Sequence, residues 1–143
     1  MKAVNVLFVD DEVAFAETMS KRLTKRGFDV RVVHDGQACL DDLQKHGDVE
    51  VVILDVKMPG MDGLETLKLI KADHPLIEVI MLTGHATVES AIEGMKRGSF
   101  DYLMKPCEIE DLVSKVEEAA QRKRGHEEKI IQAQIRDITS RRP

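Results

Sequence analysis

Residues able to handle a phosphate and a metal ion follow directly after short apolar segments of the chain. These residues are the carboxylates Asp10, Asp11 and Asp55, the hydroxyl residue Thr83 and the ammonium residue Lys105. Three neighbouring carboxylates repel one another, so keeping them ionised requires a cation. Carboxylate oxygens are the ligands that Mg²⁺ prefers, and Mn²⁺ accepts the same ligands. The five histidines are scattered without zinc-ligand spacing, so the pattern predicts an oxygen-ligated Mg²⁺ site.

A carboxylate beside a divalent cation, with a lysine and a threonine opposite, is suited to accepting a phosphoryl group. An aspartate can act as the nucleophile and form an acyl phosphate. The cation and the ammonium group would neutralise the equatorial phosphoryl oxygens, and the hydroxyl could donate a hydrogen bond to one of them. Each acid taken alone is an ordinary helix cap or loop residue. That simpler interpretation weakens because all five residues follow predicted strands.

Five apolar segments have the length of strands and alternate with segments of helical spacing. The predicted strands are residues 4–9, 30–33, 49–54, 77–82 and 100–104. Several of them are apolar almost without a break, which is typical of strands buried on both faces of a parallel sheet. Helical crossovers between parallel strands place helices on both faces. The sequence therefore predicts an α/β fold, a doubly wound (βα)5 parallel sheet, with its functional crevice at the carboxyl ends of the strands.

The helices between these strands have recognisable ends and apolar stripes. We expect helices over residues 12–26 and 37–45, from the N-cap Asp62 to before Pro75, from Thr87 to Gly98, and after Pro106. Gly27 and Gly47 are expected to end the first two. The fourth helix is predicted to bury Val88, Ile92 and Met95, and the fifth to bury Ile109, Leu112 and Val116.

The last residues extend the final helix without adding room for another domain. We therefore divide the chain into a domain of residues 1–121 and a basic helical tail or linker of residues 122–143. Gly125 is a possible interruption, and Ile131, Ile135 and Ile138 form a single apolar stripe. The stripe is too short to establish a coiled coil. A helix that needs a partner and a frayed tail are equally consistent with it.

Composition limits the classes of function. The chain has 143 residues, of which 43% are hydrophobic and 33% charged, enough for one packed core. Apolar segments long enough to span a membrane and a signal peptide are both absent, and the two cysteines form no CxxC pair, so we expect a cytoplasmic protein. Residues 1–120 carry 14 Lys and Arg against 23 Asp and Glu, whereas residues 121–143, including Arg141 and Arg142, carry seven against three. The acidic body argues against a nucleic-acid surface, and the basic tail is too short and interrupted to reverse this. We expect the tail to be a solvated helix end rather than a contact with nucleic acid or a membrane.

Four motifs together resemble the receiver domain of bacterial two-component response regulators. They are Val-Asp-Asp-Glu at 9–12, Leu-Asp-Val-Lys-Met-Pro-Gly-Met-Asp-Gly at 54–63, Leu-Thr-Gly-His at 82–85 and Tyr-Leu-Met-Lys-Pro at 102–106. The resemblance covers residues 4 to about 121. It implies a flavodoxin-like strand order of 2-1-3-4-5.

The resemblance also implies roles for the strand-end residues. Asp55 would be the phosphoacceptor. Asp11 and Asp55 would ligate Mg²⁺ directly, Asp10 through a water molecule, and Lys57 through its backbone carbonyl. Lys105 would bind the acyl phosphate, placed by a cis peptide bond before the proline that follows it.

Further positions are implied to control the response and its duration. Thr83 and Tyr102 resemble the family's switch pair, in which the hydroxyl moves to the phosphate and the aromatic ring turns inward behind it. Lys57 and His85 correspond to positions that influence how long the phosphoryl group survives. Gly84, being small, would leave a path for attacking water.

The function implied is a phosphorylation switch rather than an enzyme acting on other substrates. A histidine kinase or a phosphotransfer protein would donate to Asp55, with autodephosphorylation later. Output would pass through the fourth helix, fifth strand and fifth helix, bordered by Ala91, Ile92, Met95 and Tyr102, to a protein partner or a second copy. A stand-alone receiver and the receiver part of a longer transcriptional regulator both remain open.

Other classes of protein fit the sequence less well. An aspartyl-phosphate phosphatase would need a substrate cap, and no segment is long enough to form one. A pseudo-receiver acting only in dimerisation would usually have lost one of Asp11, Asp55, Thr83 or Lys105, and all four are present. An FMN-binding flavodoxin would need a phosphate-binding loop where this chain has acids.

Overall fold

Five strands alternate with five helices in the computed structural model, which describes residues 3–140. The strands are β1 (Asn5–Val9), β2 (Asp29–Val33), β3 (Val51–Leu54), β4 (Glu78–Thr83) and β5 (Asp101–Met104). The helices are α1 (Val13–Lys25), α2 (Gly36–Lys45), α3 (Gly63–Asp73), α4 (Val88–Lys96) and α5 (Ile109–Ser140). The predicted alternation is confirmed, and most element ends differ from the prediction by one or two residues.

All five strands pair in parallel, in the order β2-β1-β3-β4-β5. This is the order that the resemblance to receiver domains implied. Every residue of β3 and β4 is buried, as their nearly continuous apolar sequences predicted, and this includes the polar ends Glu78 and Thr83 of β4. The edge strands β2 and β5 are half-exposed. The register pairs Val9 with Leu54 and Leu54 with Met81. The carboxyl ends of the central strands therefore lie side by side.

Successive residues of β1 pack into two separate apolar clusters, because side chains alternate between the two faces of a strand. Val6 and Phe8 face the cluster that contains α1 and α5. Leu7 and Val9 face the cluster that contains α2 and α3. Burial of each large aliphatic side chain stabilises the fold by roughly 1.5–3 kcal/mol. The sheet is thus covered on both faces, as a doubly wound fold requires.

Local sequence signals set several helix ends. Gly27 follows α1 with a φ of 91°, a conformation that favours glycine. The carboxylate of Asp62 accepts a hydrogen bond from the Glu65 N–H at 2.8 Å and caps α3. α4 begins after Thr87 with a reciprocal capping box to Ser90. The predicted helix starts at Asp62 and Thr87 are confirmed, and α2 ends at Lys45 as expected, with His46 rather than Gly47 as its cap.

The predicted inward stripe of α4 is wrong. Val88, Ile92 and Met95 are 76%, 51% and 50% exposed, and the buried residue of α4 is Gly94. A Cβ atom on Gly94 would lie 3.4 Å from Cδ2 of Tyr102, so the helix packs its small-residue face against the Tyr102 ring. Because Gly94 packs directly on the Tyr102 ring, the large apolar side chains of α4 point away from the sheet.

α5 runs without interruption through Gly125 to Ser140, a length of 32 residues. Leu112 and Val116 are buried as predicted, and Ile109 is half-buried against the same cluster. Beyond this cluster, α5 is tied to the amino ends of the strands by ion pairs. Arg124 contacts Glu50 at 2.6 Å, and Arg122 contacts Glu78 at 3.0 Å. These pairs anchor the helix where it leaves the domain.

The remaining turns of α5 project into solvent. Residues 128–140 are exposed, including the predicted stripe of Ile131, Ile135 and Ile138. Arg141 and Arg142 lie outside the described residues. Within residues 3–140, no helix combines the length and apolarity needed to cross a membrane.

Candidate functional site

The residues singled out by their chemistry meet at the carboxyl edge of the sheet. The backbone hydrogen bonds of the sheet continue one residue past the strand ends at this edge. The Asp10 N–H donates to the Val33 carbonyl and the Asp55 N–H to the Val9 carbonyl, both at 3.1 Å. The Lys105 N–H likewise donates to the Thr83 carbonyl at 2.9 Å. The backbone on both sides of the site is therefore fixed by the sheet, and side chains from three strands converge.

The carboxylates of Asp10, Asp11 and Asp55 lie within 4.8 Å of one another. Asp10 and Asp55 are buried, whereas Asp11 is exposed. Burial raises the pKa of the Asp10 carboxyl, and the nearby Asp55 carboxylate adds to that rise. Two backbone N–H groups partly offset the repulsion: Glu12 donates to Asp10 Oδ1 at 2.9 Å and Lys57 to Asp55 Oδ1 at 3.4 Å.

Lys105 supplies the positive charge of the site. Its Nζ lies 2.8 Å from Asp10 Oδ2, 2.9 Å from Glu12 Oε1 and 3.3 Å from Asp55 Oδ2. It also lies 4.3 Å from the centroid of the Phe15 ring, a cation–π contact. Burial alone would lower the pKa of this ammonium group, but the carboxylates raise it above its usual value. The Lys105–Pro106 peptide bond is cis, as the resemblance implied.

Glu12 and Phe15 are contacts of Lys105 that sequence reasoning missed. Glu12 follows the two aspartates in the sequence, so its position was a usable signal. Phe15 lies in α1, 90 residues before Lys105, and its position in the apolar pattern of that helix is that of an ordinary core residue. Only the tertiary structure places its ring beneath the ammonium group.

The donor set fits a hard divalent cation. Asp10 Oδ2 is buried and makes no well-aligned hydrogen bond, although the Lys105 ammonium is nearby. Among residues 3–140, the cluster of side chains close enough to share an ion consists of Asp10, Asp11 and Asp55, all oxygen donors. Such a set matches Mg²⁺ or Mn²⁺ better than zinc.

An open cavity of about 410 Å³ adjoins these carboxylates. Its lining includes Asp11 and Asp55 together with the exposed side chains of Lys57 and His85. A Cβ atom on Gly84 would lie 4.0 Å from Cδ of Lys105, which places Gly84 beside the lysine stem. Of the three residues predicted to affect phosphoryl lifetime, Lys57 and His85 thus line the cavity and Gly84 lies next to Lys105.

Thr83 and Tyr102 lie on the same side of the sheet. Tyr102 pairs with Met81, two residues before Thr83, so the two side chains share a face of neighbouring strands. Thr83 is fully buried, and its Oγ1 accepts a hydrogen bond from the His85 N–H at 3.0 Å. Its hydroxyl hydrogen remains able to donate to a phosphoryl oxygen.

Gly63 is a further positioning residue that the sequence pattern did not single out. Sequence reasoning assigned the 58–63 loop local backbone work and no direct chemistry. A Cβ atom on Gly63 would overlap the Asp55 carbonyl oxygen, and the Gly63 N–H donates to the Val56 carbonyl at 2.6 Å. The absence of a side chain at the start of α3 therefore allows the Asp55 backbone to take its position.

Replacing Gly63 with alanine is expected to displace the Asp55 backbone and to lower the free energy of unfolding by about 1–3 kcal/mol, because the added methyl group overpacks the turn. Chemical denaturation measures this loss. Gly125→Ala is the matched control, since a Cβ there meets no atom within 4 Å and alanine favours the helix. Equal stability of the Gly63→Ala variant and the native chain would contradict the role assigned to Gly63.

Comparisons with known proteins agree with this geometry. The family model described as the response regulator receiver domain matches residues 6–117. The transcriptional regulatory protein ZraR of Escherichia coli K12 is 34% identical over 116 residues, which are 81% of this chain and 26% of ZraR. FixJ of Bradyrhizobium diazoefficiens is 37% identical over 80% of this chain and 56% of its own length. The chain spans about a quarter of ZraR and about half of FixJ.

Solved structures give the same similarity. A CheY-like receiver domain protein from Methanospirillum hungatei superposes with a TM-score of 0.83 at 26% identity, covering 87% of this chain and 99% of its own. The receiver domain of NtrX from Brucella abortus superposes with a TM-score of 0.76 at 31% identity, over 81% of this chain and 98% of its own.

Proposed function

The chain belongs to the response regulator receiver domain family, and from that premise we propose that it is a phosphorylation switch with Asp55 as its phosphoacceptor. One observation supports this assignment above the others. Asp55 belongs to the acidic cluster, its Oδ2 lies 3.3 Å from the Lys105 ammonium, and it lines an open cavity. A carboxylate suited to act as the nucleophile thus borders a cavity in a site that has its own ammonium group.

In the proposed reaction, an Asp55 carboxylate oxygen attacks the phosphorus of a phosphohistidine. A phosphorus–oxygen bond forms while the phosphorus–nitrogen bond breaks, and the donor imidazole leaves with the electron pair. Lys105 binds an equatorial oxygen, and the Thr83 hydroxyl donates to another. Bound Mg²⁺ or Mn²⁺, held by Asp10, Asp11, Asp55 and the Lys57 carbonyl, would neutralise phosphoryl charge.

Hydrolysis of the acyl phosphate returns the switch to its starting state. Lys57 and His85 line the cavity beside Asp55, and Gly84 lies next to the Lys105 stem. We propose that these three residues set the lifetime of the phosphoryl group, with the small Gly84 leaving a path for water. The chain's own chemistry would be limited to this cycle, without turnover of another substrate.

The proposed donor is a histidine kinase or a phosphotransfer protein. The proposed output surface is the exposed face of α4, β5 and α5. Its support is the apolar side chains that α4 and β5 leave in solvent: Val88, Ile92, Met95 and Met104. A protein partner or a second copy of this chain would cover them. We propose the cytoplasm as the location, since both cysteines are free thiols.

A longer transcriptional regulator is the second candidate context for this domain. ZraR, a transcriptional regulatory protein, is about four times as long as its matched segment. We propose residues 1–121 as the receiver and residues 122–143 as a tail or linker. The exposed isoleucines of α5 are where an attached domain or a second copy would make contact.

Intact mass after incubation with a small-molecule phosphodonor and Mg²⁺ tests the proposed function. We expect a gain of one phosphoryl group that depends on Mg²⁺. Incubation with a cognate phosphorylated kinase is the second arm, because some receivers need a protein donor. No gain in either arm would overturn the proposal.

Replacing Asp11 with alanine is expected to weaken Mg²⁺ binding at least tenfold, or about 1.4 kcal/mol, because one of three carboxylates is lost. At a concentration about a hundred times the dissociation constant, Mg²⁺ should stabilise the native chain by about 2.7 kcal/mol. Thermal unfolding with and without Mg²⁺ measures both effects. Glu89→Ala, which removes an exposed acid of α4, is the control. An identical Mg²⁺ response of Asp11→Ala and the native chain would exclude Asp11 as a ligand.

Replacing Thr83 with alanine is expected to leave phosphoacceptance intact. The change in Tyr102 emission on phosphorylation should fall to less than half that of the native chain, because no hydroxyl moves to the phosphoryl group. Intact mass measures the first quantity and tyrosine emission the second. Thr18→Ala, on the exposed face of α1, is the control. A full emission change in the Thr83→Ala variant would remove Thr83 from the switch.

A further inference from the structure

We propose that Ser90 is a positioning residue for Tyr102, and that its hydroxyl opposes the reorientation of Tyr102 that accompanies phosphorylation of Asp55. Ser90 Oγ lies 2.8 Å from the Tyr102 phenol oxygen, joining the first turn of α4 to β5. This inference rests on the proposed function and names a residue that regulates it.

The Tyr102 ring rests on one face of α4. Ser90 and Gly94 are four residues apart and therefore lie on the same side of the helix. Gly94 is buried, and a Cβ atom there would lie 3.4 Å from Tyr102 Cδ2. The ring thus lies over Gly94 while its hydroxyl reaches Ser90. Both ends of the Tyr102 side chain are engaged by the same helix face.

Either oxygen can donate in the Ser90–Tyr102 hydrogen bond. Ser90 Oγ accepts from the Thr87 N–H at 3.0 Å. A serine hydroxyl has one hydrogen and two lone pairs. When the Ser90 hydrogen goes to the Thr87 carbonyl, 3.1 Å away, Ser90 accepts from the Tyr102 phenol; otherwise Ser90 donates to it. In both arrangements the two hydroxyl groups are joined by one hydrogen bond.

Thr87 can replace Tyr102 as the partner of Ser90. The Thr87 hydroxyl lies 3.0 Å from Ser90 Oγ and can donate to it, and the Thr87 carbonyl, 3.1 Å away, can accept from it. When Tyr102 turns away, Ser90 therefore keeps its full set of hydrogen bonds within the capping box. The bond to Tyr102 then has the strength of one ordinary neutral hydrogen bond. Such a bond biases an equilibrium without locking it.

Linkage between the two positions of Tyr102 predicts the effect of removing the bond. If Ser90 stabilises the observed position, its loss favours the alternative one by about fivefold, the factor expected for a neutral hydrogen bond. A ligand that binds the alternative state more tightly must then gain affinity by up to the same factor. Ser90→Ala is therefore expected to strengthen binding of a phosphoryl mimic.

Tyrosine emission reports on this residue alone, because the chain has one Tyr and no Trp. The full chain is titrated with beryllium fluoride in the presence of Mg²⁺, and Tyr102 emission is followed. For Ser90→Ala we expect an apparent affinity about fivefold higher than native. Ser90→Thr keeps the hydroxyl and is expected to restore the native affinity. Alanine favours a helix, so Ser90→Ala is expected to fold.

Thr87→Ala separates the Tyr102 bond from the capping box. It removes the other hydroxyl of the box but keeps both atoms of the Ser90–Tyr102 bond, so we expect less than a twofold change in affinity. Equal effects of Thr87→Ala and Ser90→Ala would overturn the proposal, because the box alone would then account for them. An unchanged affinity in Ser90→Ala would overturn it as well.

Intact mass of the same proteins, incubated separately with a phosphodonor and Mg²⁺ and without beryllium fluoride, distinguishes this inference from the function on which it rests. Phosphorylation of the native chain with no effect of Ser90→Ala would overturn the role of Ser90 alone. A native chain that accepts no phosphoryl group from either type of donor would overturn the proposed function and this inference with it.

Discussion

Replacement of Asp55 with alanine is expected to abolish phosphoacceptance, because the other carboxylates of the cluster lack its position. Asp10 is buried and, unlike Asp55, does not belong to the cavity lining, and Asp11 lies at the exposed side of the cluster. Intact mass after incubation with a phosphodonor and Mg²⁺ is the measurement. Asp73→Ala, which removes an exposed carboxylate at the end of α3, is the matched control and should gain mass as the native chain does.

The same variant is expected to fold with equal or greater stability. Asp55 contributes to the raised pKa of Asp10, so removing Asp55 relieves a repulsion of roughly 1 kcal/mol or less. Lys105 keeps its contacts with Asp10 and Glu12. Chemical denaturation at neutral pH measures this effect. A mass gain by the Asp55→Ala variant equal to that of the native chain would refute Asp55 as the phosphoacceptor.

Replacement of Lys105 with methionine is expected to cause the largest loss of stability, about 3 kcal/mol at neutral pH without Mg²⁺. Methionine keeps the length of the side chain but leaves two buried carboxylates, Asp10 and Asp55, without their cation. Lys115→Met is the control, because Lys115 pairs with Asp101 at 3.0 Å on the exposed surface. A much smaller loss is expected there.

The pH dependence of the Lys105 variant has a definite sign. The pKa of the Asp10 carboxyl is already raised in the folded native chain and should rise further once the ammonium group is gone. Between the unfolded pKa and this higher folded pKa, the folded state binds more protons than the unfolded state. Stability therefore falls as pH rises through that window. The deficit of the variant should shrink as pH is lowered from neutrality.

Mg²⁺ supplies a second test of the same electrostatic argument. The ammonium group and a divalent cation compete for the same carboxylates, so Lys105→Met should bind Mg²⁺ more tightly than the native chain. Denaturation with and without Mg²⁺ should show that added Mg²⁺ recovers part of the lost stability. A deficit that neither Mg²⁺ nor lower pH reduces would point to lost packing against Phe15 instead.

Much of the fold and the placement of the site followed from local sequence features. Nearly continuous apolar segments, N-cap residues such as Asp62 and breakers such as Gly27 act within a few residues, so their effects are visible in the sequence. The carboxyl ends of parallel strands must share one edge, which is why Asp10, Asp55 and Lys105 could be expected together. The roles assigned to the individual site residues stay predictions until the variants are measured.

The orientation of α4 could not be predicted in this way. Its largest apolar residues suggested an inward stripe, and the structure turns them outward because the Tyr102 ring packs on Gly94. The choice depends on a residue of β5 that follows α4 in the sequence. Helical periodicity describes only one of the two packing surfaces, so it cannot decide which face of a helix fits its neighbour.

By itself, the sequence determined the alternation of strands and helices, the parallel sheet and the edge at which its chemistry gathers, since these follow from periodicity, chain breakers and strand direction. Tertiary structure alone decided the contacts on which control of the site depends: Phe15 beneath Lys105, Gly63 against the Asp55 backbone, and Ser90 beside Tyr102. Each of these contacts joins separate elements at van der Waals or hydrogen-bond distance. Shifts of a fraction of an ångström make or break them, and the pattern of residue types does not encode distance at that precision.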